Sequence, residues 1–146
     1  MTLRRAMTSR SGKICAAWLV GQLMFEMELK DTVPALAACR SVLNVLANRI
    51  SHAATKAFES RLPRTLRPEP AATANRPENR GRDLTLRGFF DEIHVELRKR
   101  DLGLPPGKLA RSVMRLVSIG VGTKARTRLE GFLPDPLREL WRVEET

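Results

Sequence analysis

Tyrosine is missing from this chain of 146 residues, and only 5% of its positions are aromatic. A core so poor in aromatics must be built from Leu, Val, Ile, Met and Ala. That composition suits helices better than a β-sandwich, since strands draw on β-branched and aromatic side chains. Cysteine is scarce too. Cys15 and Cys39 lie in apolar stretches, with no CxxC pair and no histidine at a ligand spacing. Neither a disulfide framework nor a structural zinc site is expected, and a reducing cytoplasm is the default compartment.

Catalytic motifs are also missing. The sequence has no HExxH, no GxSxG, no glycine-rich phosphate loop and no Cys–His arrangement, which points away from an enzyme and from any metal or cofactor. His52 has no acid close by in sequence. His94 stands three residues after Asp91 on one helix face, a spacing better explained by a solvated charged surface. Long apolar runs are lacking as well. Ile14–Phe25 follows a basic tail but is about half the length needed to span a bilayer. Glu26 and Glu28 come next, where a signal peptide would carry a small-residue cleavage site. The run reads as an amphipathic or buried helix, with no integral membrane segment.

Acids are in short supply. Lys and Arg number 26 against 16 Asp and Glu, a formal net charge of +10. The excess is uneven: residues 14–60 balance at four of each sign, whereas residues 108–142 hold eight bases against Glu130, Asp135 and Glu139. The tail before residue 14 and the stretch 61–82 are also basic. Such a distribution suits a nucleic acid or another polyanion. Its sharpest form is a helix-turn-helix in LARSVMRLVSIGVGTKARTRLEGFL, where Lys124, Arg126 and Arg128 follow a glycine turn and would reach phosphates.

What the chain does have is an internal repeat. Residues 40–67 and 108–138 share a pattern at an offset of 71, with Arg40-Ser41-Val42 recurring as Arg111-Ser112-Val113 and Leu62-Pro63 as Leu133-Pro134. Ala54 and Glu59 recur as Ala125 and Glu130, and the apolar positions between them keep step. The repeat alone explains the glycine-turn layout without DNA.

The expected fold is all-α, with two pseudo-repeated three-helix units packed into one bundle, since neither half is large enough to hold a core alone. The expected divisions are a basic flexible tail at 1–13, a first repeat at 14–66, a Pro/Arg-rich linker at 67–83, a second repeat at 84–142 and a tail at 143–146. In the first repeat, helices are expected over Ile14–Leu29, from an Asp31 or Thr32 cap to about Ile50, and from a Ser51 cap to about Arg61. In the second, Thr85 caps an amphipathic helix carrying Phe89, Ile93 and Leu97. The next helix ends at the Gly120-Val121-Gly122 turn, Thr123 caps another through Phe132, and Asp135-Pro136 open a last turn ending at Trp141.

Arg40 and Glu59 are 19 apart, as are Arg111 and Glu130. The spacing suggests a structural ion pair within each helical hairpin; two independent surface charges are the rival reading.

The segment from WLVGQLMFEMEL to ESRLPRTLR, and that from FFDEIHVELRKR to LPDPLRELW, resemble the bacterial domain-of-unknown-function family 2267. Its halves each carry an RxVL helix and an LPxxLR end, matched here by Arg40, Val42, Leu43, Leu62, Pro63, Leu66 and Arg67 and by Arg111, Val113, Met114, Leu133, Pro134, Leu137 and Arg138. The resemblance implies a duplicated helical domain and supplies no function, since the family has no established activity. A departure follows the first LPxxLR, where an aromatic segment of the family gives way to Arg67-Pro68-Glu69-Pro70. The functional expectation is a non-catalytic binding or scaffold module with an unidentified protein partner. Nucleic-acid binding by the basic C-terminal helices is the alternative.

Overall fold

The computed structural model describes residues 13–68 and 83–142. Most of the expected tails and linker, at 1–12, 69–82 and 143–146, lie outside the described residues. The described residues are all-helical, without a strand.

Helix α1 spans Ala16–Glu26, shorter than expected at both ends. Glu28 takes a left-handed φ of 55°, and the Leu29 amide donates to the Met24 carbonyl at 2.8 Å. That bond closes the helix in a Schellman-like turn, which apolar periodicity does not announce. Helix α2, Thr32–Arg49, starts after Asp31 as expected, although the Asp31 side chain makes no capping bond. Ile50 is extended, and α3 follows at His52–Glu59 with the Ser51 hydroxyl accepting from the Ala54 amide at 3.0 Å. A 3₁₀ turn at Arg64–Leu66 then buries Leu66.

Helix α4 spans Leu86–Lys99 and is capped by Thr85, whose hydroxyl accepts from the Gly88 amide at 2.9 Å. It closes as α1 does, with Asp101 at φ 56° and the Leu102 amide donating to the Leu97 carbonyl at 2.8 Å. Helix α5 runs from Pro106 to Glu130 and needs a correction to the expected turn. The break is confined to Gly122, at φ 84° and ψ 163°, and the helix resumes at once without a Thr123 cap. Helix α6, Asp135–Trp141, has Pro134 in the cap position, so Asp135 and Pro136 sit one place further inside than expected.

The two longest helices, α2 and α5, touch each other and anchor the core. Helix α1 packs on both, and so does α4. One continuous apolar cluster results, reaching from Ile14 to Trp141. Gly120 permits the close approach of α1: a Cβ there would lie 3.1 Å from both Ile14 Cγ1 and Trp18 Cζ3. Two ion pairs tie the halves across this core. Arg49 of α2 holds Glu92 of α4 with its Nε and a terminal nitrogen, the closest contact at 2.8 Å. Arg115 of α5 holds Glu26 of α1. Among the described residues, no helix is long and apolar enough to cross a membrane.

A candidate polyanion interface

The three bases singled out from the sequence part company in the structure. Lys124 and Arg128 lie in the segment of α5 beyond Gly122, four residues apart on one face, and both are exposed. They line a shallow recess with Thr123 and Thr127. Arg128 also borders a small cleft with Ala57, Ser60 and Arg61 at the end of α3. Side chains of Lys124, Arg128 and half-buried Arg61 have no acidic partner among the described residues.

Arg126 points elsewhere. Its Nε donates to the Ser118 carbonyl at 3.0 Å, a bond that spans the break at Gly122. Trp141 completes the arrangement: its Nε1 donates to the Arg126 carbonyl at 2.8 Å, and the Ser118 hydroxyl donates to the Trp141 carbonyl at 2.6 Å. Arg126 therefore bridges a helix break. Nothing in the sequence signals this beyond the glycine itself, because Trp141 arrives from a separate helix.

In the second copy the two residues of the expected hairpin pair have other partners. Arg111 lies over the Phe90 ring at 5.6 Å from its centroid, while Glu130 forms an ion pair with Arg142 at 3.5 Å. The pairs across the core, Arg49–Glu92 and Glu26–Arg115, are not shared by the two copies, so the repeat could not flag them.

A larger groove opens along the first segment of α5. Lys108, Arg111, Arg115 and Ile119 face Leu140 and Arg142 at the end of α6 across a volume of about 730 Å³. Its stripe of bases was legible in the sequence as spacings of three and four, but was passed over in favour of the glycine turn.

Chemistry finds little purchase elsewhere. No group of three or more His, Cys, Asp or Glu gathers at metal-binding range among the described residues. His52, His94 and Asp91 are all exposed. Cys39 is fully buried, and desolvation pushes its thiol up to about 12, so it stays protonated and inert near neutrality.

A family model described as Uncharacterized conserved protein (DUF2267) matches residues 17–140. No curated protein matches the chain.

Proposed function

The chain belongs to the family described as Uncharacterized conserved protein (DUF2267), and from that premise we propose a non-catalytic binding module for an anionic partner. Its frame is two copies of a three-helix unit. Burial at the offset of 71 supports the duplication: Val42 and Val113, Leu46 and Val117, Ala54 and Ala125, and Leu66 and Leu137 are all buried. The halves interlock, since α1 and α4 each pack on both long helices.

The anion is received where the end of α3 meets the last segment of α5. The observation that carries this reading is the set of uncompensated bases there, Lys124, Arg128 and Arg61, beside two clefts that share Arg128. Elsewhere, Arg49, Arg115 and Arg138 are already matched by Glu92, Glu26 and Asp135. Uncompensated charge draws an anionic partner most strongly, by steering and by release of counterions. A nucleic-acid backbone is favoured within this reading by the Thr123 hydroxyl beside Lys124 and Arg128, a mixture that suits phosphate oxygens.

Fluorescence anisotropy with labelled heparin and labelled oligonucleotides, titrated over rising salt, tests the reading. Binding should weaken steeply with salt and fall by at least about tenfold in the Lys124→Glu/Arg128→Glu double variant. Absence of binding at low salt, or equal binding by the variant, would end it.

A further inference from the structure

The groove along the first segment of α5 differs in kind from the face just described. Lys108, Arg111 and Arg115 recur at spacings of three and four, so they line one side of the helix. Ile119 continues the stripe, and Leu140 lies across from it, which gives the groove an apolar floor beneath a basic rim. Arg142 adds a fourth base, against the single acid Glu139.

The rim is already oriented. The Arg111 guanidinium lies over the Phe90 ring, Glu26 holds Arg115, and Glu130 holds Arg142 at 3.5 Å. A guanidinium carries five N–H donors, and one carboxylate engages at most part of them. Each arginine so held keeps donors for a second carboxylate, with its rotamer fixed in advance and the ordering cost of binding reduced.

Two kinds of polyanion would answer the charge, and the floor separates them. A phosphate backbone is charged at every step and offers nothing apolar to Ile119 and Leu140. A protein helix brings carboxylates and an apolar stripe together, at the same three-and-four spacing as the rim. The stripe from Lys108 to Ile119 is about 16 Å long at the helical rise, enough to take about three turns of a partner. We propose that this groove docks an acidic amphipathic helix of another protein.

A displayed library of random peptides long enough for about four turns, selected on the purified full chain, tests this. The same library is passed over the Lys108→Glu/Arg111→Glu variant, whose two changed positions are exposed and whose fold is checked by circular dichroism. Enriched peptides should combine Asp and Glu with apolar residues at helical spacing, and should bind the parent chain at least about tenfold more tightly than the variant. Ile119→Ser should also weaken them, which attraction by charge alone would not produce. Failure to enrich such peptides, or equal binding by the variant, overturns the proposal. So does a labelled DNA duplex that competes for the groove and is indifferent to Ile119→Ser, since that assigns the groove to nucleic acid. A dimer of the parent chain in light scattering that the double variant abolishes assigns it to a second copy and likewise overturns it.

Discussion

The joint at Ser51 and the joint at Gly122 occupy equivalent places in the proposed duplication, and they are built on opposite principles. At the first, a long helix stops, Ile50 is extended, and Ser51 caps the next helix through the Ala54 amide at 3.0 Å. The Thr55 hydroxyl adds a bond to the Ser51 carbonyl at 3.0 Å. Both of these bonds are local, within four residues. At the second, glycine stands where the serine would be, at φ 84°, and offers no side chain to cap with. The joint is bridged from a distance, by Arg126 on the Ser118 carbonyl and by Trp141 between Ser118 and Arg126. The same bend can thus be held by local chemistry or by tertiary packing. Only the second kind makes one joint depend on the rest of the fold.

Removing Trp141 should break this dependence most severely. The side chain is fully buried, meets Phe58 of α3 edge to face at a centroid distance of 5.4 Å, and bonds across the second joint. Trp141→Ala should cost about 3–5 kcal/mol in denaturant unfolding, by cavity formation and loss of the indole bond. A cost below about 1 kcal/mol would mean that α6 is not needed to hold the joint.

Gly122→Ala comes next. A φ of 84° combined with a ψ of 163° is a region that a Cβ essentially forbids, so the variant should lose about 1–3 kcal/mol. Alanine's better helix propensity brings no relief here, because the residue is not helical. A neutral or stabilised variant, read by thermal melting, would show that the break at 122 is dispensable and that α5 can run straight.

Most helices were legible because their apolar residues recur at helical spacing, and because Ser51 and Thr85 carry their cap in the residue type itself. Termination was less legible. Glu28 and Asp101 enter the left-handed region without being glycine, so α1 was read too long. The candidate site divided in the same way. Exposure of Lys124 and Arg128 follows from their places four apart on a face opposite buried Ala125 and Leu129. The inward turn of Arg126 does not follow from any local pattern, because its acceptor lies across the break at Gly122 and its lid is Trp141. The ion pairs across the core were not legible for a related reason: the repeat reveals only what recurs at its offset, whereas Arg49–Glu92 and Glu26–Arg115 join one half of the chain to the other.

Arg126→Met sharpens the comparison by separating structure from binding. Methionine keeps much of the apolar stem but removes the Nε donor, leaving the Ser118 carbonyl without its Arg126 bond. The expected loss is about 1–2 kcal/mol of stability. Heparin or oligonucleotide affinity should stay within about threefold of the parent chain, in contrast to the loss expected on reversing Lys124 and Arg128. Equal losses of affinity from Arg126→Met and Lys124→Glu would return Arg126 to the interface.

Ser51→Gly should have the smallest effect, and the reason completes the contrast. The substitution removes the acceptor of the Ala54 amide, but Ser51 is exposed, so water takes the place of the lost hydroxyl. Ser51 has a φ of −67° and a ψ of 164°, which glycine adopts without strain, and glycine at a cap costs only about a few tenths of a kcal/mol relative to serine. The reverse exchange is not symmetrical. Gly122→Ser would have to force a Cβ into a backbone that excludes it, and no cap geometry at φ 84° compensates. Chemical denaturation of both single variants therefore measures the difference between the joints directly. A Ser51→Gly loss as large as that of Gly122→Ser would show that the first joint is under the same tertiary constraint as the second.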